Sequence, residues 1–584
     1  MHSLFMRKKL IIGGAAITLA AAVCVFLYSY IIGFERDSLA RKLPEDTSAY
    51  LSIRHIRKAA IAFATDDRLK SMSNVAQAIA LSVGDSSSSS LPNWTSEIQV
   101  DPKLLAKLGL HFKSQIAIAI PSPEGNDIAL LGQFSGSQES LYETLIEIAK
   151  QASSKSIQFE WSESAFGNIR YQELNITPSL DYSLSVFPTI CCTVFEDVFY
   201  LTYSSDGLEK LLQHAQSKES PNLEERLTRH KVAQHIIDPD VIAYANLEPA
   251  VTLATTQIQN RLLQRGGLYS AFDASSFIET LGLNGLQSAL LAFELTGDQA
   301  LYSGVKYNAP NPLIGTANPP HLANLSDLPV ELSLVNQGEL SVNVGELLIL
   351  VQNAFLKAAP IANFPYIAFN AKVYSETRKN FVQLLESSFE KKLRTLQTLD
   401  IGTARDRDGN IVENLLYDVA FRVPFETDSE LGKVLRNRFP TLTKSNPRLI
   451  YQEGDTLYID SDYDSSVTGG RFAIRVEDQY LTFGYGTLKS FYLIQKPASS
   501  YLISQPDPTP NSELIGNGRF SAQNMAYTLN RCAPVFYQQL NPGKRLPAEL
   551  ELFDWSSLNS LNQERSSRVY NDADGELYRV SKAQ

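Results

Sequence analysis

The sequence predicts an α+β protein: two tandem copies of an antiparallel-sheet-plus-helices unit behind one N-terminal transmembrane helix. Three observations carry that expectation. One long apolar run without charges stands near the N-terminus. Six short segments recur in the same order at nearly constant spacing. Between them, short strands around tight turns interleave with helices of 3.6-residue periodicity.

The anchor comes first. Residues 10–34, LIIGGAAITLAAAVCVFLYSYIIGF, carry no charge and follow Arg7-Lys8-Lys9. At about 1.5 Å per residue such a helix is roughly 37 Å long, enough to cross a hydrocarbon layer about 30 Å thick. Glu35-Arg36-Asp37 ends it, and Tyr28, Tyr30 and Phe34 suit the far interface. Basic residues favour the cytoplasmic side, so 1–9 reads as a cytoplasmic tail, 35–42 as a juxtamembrane segment, and the remainder as extracytoplasmic. Ala20-Ala21-Ala22 resembles a signal-peptidase site, but the mostly apolar residues after it argue for an uncleaved signal-anchor. Val23 is a poor neighbour for lipid modification of Cys24.

Internal similarity organises the rest. YLSI at Tyr50 matches ELSL at Glu331, and EGN around Gly125 matches DGN around Gly409. GNIRY from Gly167 matches GDTLY from Gly454, and YLTY at Tyr200 matches YLTF at Tyr480. AYANL at Ala243 matches AYTLN at Ala526, and LYSGVK at Leu301 matches LYRVSK at Leu577. The offsets stay between 276 and 287 residues. Repeat domain 1 is therefore placed at 43–307, a Pro-rich linker at 308–328, and repeat domain 2 at 329–584.

Within each unit the periodicity alternates. QIAIAI from Gln115 and DIALLGQF from Asp127 read as strands, and ESLYETLIEIAKQ as a helix with Leu141, Leu145 and Ile148 on one face. CCTVF and VFYLTYS flank Glu196-Asp197 as a hairpin, after which Asp206 is expected to cap the helix GLEKLLQHA. LLILVQNAFLKAAP from Leu347 reads as an amphipathic helix, and Ser86–Ser90 as an exposed loop without a counterpart.

LPEDTSAYLSI from Leu43, IDPDVIAYANL from Ile237 and LGLNGLQSALLAFEL from Leu281 resemble an uncharacterised bacterial membrane-anchored envelope family carrying a domain of unknown function. Its members open on a strand of the form LPxDTxAYVxV. The resemblance covers most of the first unit and is looser in the second, where LSDLPVELSL lacks the Asp-Thr and Ala-Tyr pairs. It implies an envelope location and brings no catalytic residues.

Charge narrows the function. Arg7, Lys8 and Lys9 contribute +3 of a net −11, so the remainder carries −14. That surface repels a phosphate backbone, which excludes a nucleic-acid partner. The seven histidines include none after His321, and His230 and His235 lie about 140° apart on a helix, unsuited to one metal. They read as solvated or ordinary core histidines. Ser303 and Lys306 have SxxK spacing but sit on a strand, where positions three apart face opposite ways.

GYGTLK from Gly484 reads as a helix start rather than a phosphate loop, because its counterpart SSDGLE carries Asp206. Asp406-Arg407-Asp408-Gly409, Asp572-Ala573-Asp574-Gly575 and the TGD turn at Gly297 read as hairpin turns. Asp460, Asp462 and Asp464 alternate along a strand face and read as solvated, since Ser465 and Arg471 stand where a calcium loop needs Gly and Glu. Cys191 and Cys192 leave opposite faces of a strand, and nothing pairs either with Cys532.

No catalytic, cofactor-binding or metal residue is nominated, and no cofactor is expected. The expectation is a non-catalytic interaction or scaffolding module of the envelope, partnered by the membrane through residues 10–34 and by an envelope protein. A binder of an apolar ligand or lipid, and a hydrolase with an unrecognised carboxylate/Ser site, are the alternatives. N-terminal sequencing of the membrane-purified protein tests the anchor: the reading expects residues upstream of Val23, and a mature chain starting at Val23 or Cys24 would overturn it.

Overall fold

Alternating apolar and polar residues set the strands, and turn chemistry sets where they reverse. The structure, a computed structural model, describes residues 39–54, 107–122, 127–152, 157–178, 189–217, 220–235, 239–265, 271–294, 301–308, 334–342, 344–359, 393–405, 409–445, 447–460, 470–494, 512–520, 530–535, 537–538, 546, 565–572 and 574–583. The first half contributes β1 (Ala49–Ile53), β2 (Phe112–Ile120), β3 (Ala129–Phe134), β4 (Ile157–Phe166) and β5 (Ile169–Pro178). It continues through β6 (Ile190–Phe195), β7 (Val198–Thr202), β8 (Val241–Asn246), β9 (Leu286–Phe293) and β10 (Leu301–Tyr307). The second half contributes β11 (Leu334–Leu340), β12 (Leu393–Arg405), β13 (Ile411–Pro424), β14 (Ile450–Glu453) and β15 (Thr456–Ile459). β16 (Arg471–Val476), β17 (Tyr480–Gly486), β18 (Ser512–Phe520), β19 (Arg565–Asp572) and β20 (Glu576–Ala583) complete it.

Every pairing among the described strands is antiparallel. In the first half the order across the sheet is β4-β5-β6-β7-β3-β2-β1-β8-β9-β10. In the second it is β14-β15-β16-β17-β13-β12-β11-β18-β19-β20. Adding ten to each label of the first order gives the second. β10 then pairs with β20, so both halves share one continuous sheet. At this seam Ser303 lies opposite Arg579, and these residues occupy the same position in the matched segments LYSGVK and LYRVSK. An approximate two-fold axis therefore passes between them.

Helices cover the sheet where it turns its apolar rows outward. On one face Tyr50, Leu131, Tyr200, Tyr244, Leu290 and Tyr302 are buried beneath α2 (Ser205–Gln216), α3 (Leu223–Thr228) and a 3₁₀ turn at Ala40–Lys42. The same core crosses the seam to Tyr570 and Tyr578, whose rings stack 5.0 Å apart. On the other face, Leu141 of α1 (Gln138–Ala152) joins Phe112, Phe134, Cys192 and Phe199. α4 (Val232–His235), α5 (Leu247–Arg265) and α6 (Ala274–Thr280) complete the first half. The second half carries α7 (Val344–Ala358), α8 (Glu430–Ser445) and α9 (Lys489–Leu493). α8 packs Leu431 and Phe439 on Leu457, Val476 and Leu481, while Phe491 of α9 packs on Leu396, Ala420 and Ala473.

Turns repeat as well. Gly167 between β4 and β5 has φ +56°, and Gly454 between β14 and β15 has φ +57°. Only a residue without Cβ adopts that conformation at no steric cost. Glu196 and Asp197 both have positive φ, the geometry of a tight primed hairpin turn.

Three readings need correction. The helix α2 is capped by Ser204, whose backbone is extended and whose hydroxyl accepts the Gly207 N–H at 2.9 Å. Asp206 instead lies in the first turn, where its charge complements the helix dipole. The strand that occupies the β8 position in the second half is β18, not one at Ala526, which is outside the described residues. Gly516 and Gly518 interrupt the apolar pattern of β18, which leaves the short Ala-Tyr match six residues beyond it as the stronger local signal. Finally, β15 ends at Ile459, so Asp460 stands past the strand with its carboxylate paired to Arg471, while Asp462 and Asp464 are outside the described residues.

Residues 10–34 and Ser86–Ser90 are also outside the described residues; among the described ones no helix is long and apolar enough to cross a membrane. Of the linker 308–328 only Asn308 is described.

The seam generates a stability prediction. A Cβ on Gly304 would stand 2.3 Å from Glu576 Oε1 and 2.7 Å from Val232 Cγ2, whereas one on Gly285 meets nothing within 4 Å. Gly304→Ala should cost about 1–3 kcal/mol by overpacking, while Gly285→Ala stays near wild type. Urea denaturation of the purified chain reads both, and equal midpoints would show that the seam yields freely.

Candidate functional site

Chemistry-bearing side chains converge where the α3–α4 connector crosses the seam. The connector places His230 and Lys231 over β9, β10 and β20. His230 is fully buried, with Tyr244 edge-on at 6.3 Å between ring centroids. Its Nδ1 lies 3.2 Å from Glu576 Oε1 and its Nε2 lies 3.0 Å from Ser288 Oγ. A carboxylate only accepts, so Nδ1 is the donor to Glu576 and Nε2 faces the serine hydroxyl as acceptor. Glu576 Oε2 accepts the Lys231 backbone N–H at 2.6 Å. Both carboxylate oxygens thus have donors, which offsets the cost of burial.

A second carboxylate layer holds Lys231. Its Nζ lies 2.8 Å from Asp574 Oδ2 and 3.7 Å from Asp572 Oδ1. The hydrogen bond to Asp574 raises the ammonium above its ordinary range, and the same bond draws the Asp574 carboxyl below its own. Asp572 is buried and also receives Ser512 Oγ and the Asp574 N–H, each at 2.8 Å. Asp572 pairs with Glu576 and Gly575 has φ +82°, the geometry of a hairpin turn between β19 and β20. It is also a clamp on the other half of the chain.

Ser288, itself only 2% exposed, is among the residues lining a cleft of about 530 Å³, with Glu45, Asp46, His214, Arg226, Arg229 and Lys306. Arg229 Nη1 donates to Glu45 Oε1 at 2.9 Å, Arg226 Nη1 to the Glu45 carbonyl at 3.3 Å, and Lys306 Nζ to the Arg229 carbonyl at 3.0 Å. Burial lowers the His214 pKa, so its ring is neutral at pH 7. Arg226 also lies 3.8 Å from Glu248 and Arg229 4.0 Å from Glu225, so the two arginines are matched by acidic neighbours. A second cleft of about 610 Å³ lies between α5 and α6, with Thr252, Thr255 and Gln259 on one wall. Its Asp273 is already engaged as the N-cap of α6.

Ser303 and Lys306 behave as the spacing requires. Gly304 and Lys306 share a face with Tyr302, and Ser303 takes the opposite one. The GYGTLK segment leads into α9, whose N-terminal amides at Lys489 and Ser490 donate to the Asp418 carboxylate at 3.1 and 3.0 Å. A protein carboxylate thus occupies the place a phosphate would take. In the first half Asp127 similarly receives Ser204 Oγ at 2.7 Å.

His230 is visible in the sequence as a lone histidine, whereas its partners are not. Ser288 lies 58 residues away and Glu576 lies 346 away, in the other half. The accessible signal was the seam: the matched segments LYSGVK and LYRVSK place Glu576 against Lys306 once they are paired.

Cys191 and Cys192 are buried and in no disulfide, and burial pushes both up to about 12. The folded state keeps both thiols neutral at pH 8, so a maleimide should leave them unmodified in native buffer and label them in urea. Mass spectrometry of the two digests checks this, and rapid native labelling would contradict their burial. The sign for stability follows. Unfolded thiols ionise near pH 9 while folded ones do not, so stability falls as pH rises from about 9 toward 12.

Comparison with known proteins finds no matching family model, no similar curated protein and no similar solved structure.

Proposed function

We propose that the chain is a single-pass, membrane-anchored extracytoplasmic protein of the bacterial envelope, acting as an interaction or scaffolding module for an envelope protein partner. Residues 10–34 cross the cytoplasmic membrane with the N-terminus inside, and the large C-terminal region lies outside. Two tandem copies of one α+β unit, 43–307 and 329–584, make up that region. The observation that carries the reading is the continuous sheet: identical strand order on either side of β10–β20 makes two units one long body. Such a body resists bending at the junction, because opening it breaks a strand ladder and exposes Tyr302, Tyr570 and Tyr578. A stiff double unit tethered at one end is suited to holding a partner at a fixed distance from the membrane.

Several features support the parts of this reading. The RKK triplet before the apolar run favours an inside N-terminus. The LPEDTSAYLSI opening is similar to that of envelope-anchored proteins. Equal turn geometry at Gly167 and Gly454 supports two copies. The clefts argue against the apolar-ligand alternative, since charged, hydroxyl and amide groups line both.

Protease added to intact spheroplasts should digest the region beyond residue 38, and protection would reverse the orientation. Amine-reactive cross-linking in the same membranes should trap the chain with a reproducible envelope protein. A chain recovered only as itself would remove the scaffolding role.

A further inference from the structure

The seam cluster holds three side chains in the order that nucleophilic acyl transfer requires. Ser288 Oγ is 3.0 Å from His230 Nε2, and His230 Nδ1 is 3.2 Å from Glu576 Oε1. These are the two contacts by which a base takes a serine proton while a carboxylate holds the imidazole in the useful tautomer. Ser288 is one of the residues lining a cleft of about 530 Å³, within the range of small-molecule sites. Many buried histidines bridge two polar groups without reacting. Here the serine is among the residues that line the cleft, although it is itself buried, while Glu576 is buried beneath the connector.

We propose that Ser288 is the nucleophile of an esterase site, with His230 as general base and Glu576 as a positioning residue. The substrate class is a small ester. Arg226, Arg229 and Lys306 line the cleft together with Glu45 and Asp46, and the arginines also pair with Glu248 and Glu225. Ser288 Oγ attacks the ester carbonyl carbon as its proton passes to His230 Nε2. Collapse of the tetrahedral adduct breaks the bond to the leaving alkoxide, which takes that proton. Water then attacks the acyl-serine, gives a proton to His230, and the carboxylic acid leaves as Ser288 recovers its hydrogen. Ester and water enter; acid and alcohol leave.

The geometry also limits the rate. Ser288 is in the middle strand of β8-β9-β10, opposite Asn246 and Lys306, so its backbone is committed to the ladder. Backbone N–H donors for the oxyanion are therefore not supplied by the nucleophile's own residue, and the cleft cations must stabilise that charge. Loss of preorganised donors costs about 10²–10³ in turnover for related chemistry. Slow hydrolysis and clear covalent trapping are expected together.

The test uses the full chain in detergent with an alkyl fluorophosphonate, followed by peptide mass spectrometry. The native protein should carry one adduct at Ser288, absent after unfolding in urea and in Ser288→Ala. His230→Gln should slow labelling by about 10²-fold or more. A native wild-type protein without an adduct at Ser288 overturns the proposal, and so does equal labelling in native buffer and urea; neither outcome depends on a variant folding. Positioning by Glu576 is read in a Ser288→Cys background, where alkylation against pH reports the thiol beside His230. Glu576→Gln should move that profile to higher pH, and an unmoved profile assigns Glu576 to structure alone. 4-Nitrophenyl acetate should be cleaved by the native protein and not by Ser288→Ala; equal rates from the two would overturn the proposal.

Discussion

A carboxylate buried in a protein interior must find donors for both oxygens, and Glu576 finds them across the seam. One oxygen takes His230 Nδ1, the other the Lys231 backbone N–H, and both donors belong to the opposite half of the chain. Breaking such an arrangement from one side leaves an uncompensated buried charge, at a cost of about 3–5 kcal/mol. The junction is therefore more than strand pairing. β10–β20 sets the register, and the Glu576 bridge ties that register to the α3–α4 connector, which in turn closes one wall of the cleft. Gly304 is the permissive residue, because no side chain at that position leaves room for the carboxylate.

The repeated strand order explains why the junction lies where it does. The last strand of each half is an edge, and an edge strand invites pairing with any partner of suitable register. β10 and β20 satisfy one another, with Ser303 opposite Arg579 near the approximate dyad. Their pairing removes two edges and merges two apolar faces under Tyr302, Tyr570 and Tyr578. The polar cluster breaks this symmetry. Glu576 comes from β20, whereas His230, Lys231 and Ser288 all come from the first half, so the two sides of the seam are chemically unequal.

The strand-and-turn pattern was readable because it is local. QIAIAI, CCTVF and YLTF alternate over a few residues, and Gly167 and Gly454 announce turns without reference to anything distant. The α+β class and antiparallel sheet follow from such signals. Spacing also ruled correctly on Ser303 and Lys306. It failed where the determinant was not local. Ser204 outcompeted Asp206 as the cap of α2 because the sheet delivers the chain in extended form at Ser204. β18 was missed because a strand paired on both sides by β11 and β19 needs less intrinsic strand character of its own, and Gly516 and Gly518 sit within that shelter.

The cluster at His230 was illegible for a stronger reason. A search for catalytic residues by motif assumes that nucleophile and base share a short segment, or at least a recognisable one. Here the three side chains come from a connector, a central strand and the last strand of the chain. None has a neighbouring pattern that marks it: Ser288 follows Gln287 on an ordinary strand, and Glu576 follows an ordinary Asp-Gly turn. The matched segments at Leu301 and Leu577 held the missing information, since pairing them antiparallel brings Glu576 beside Lys306 and under the connector. Internal similarity counts units, and two matched terminal strands also imply a contact between them. In a chain whose repeats end on edge strands, the residues flanking those strands are the first place to look for chemistry that neither repeat contains alone.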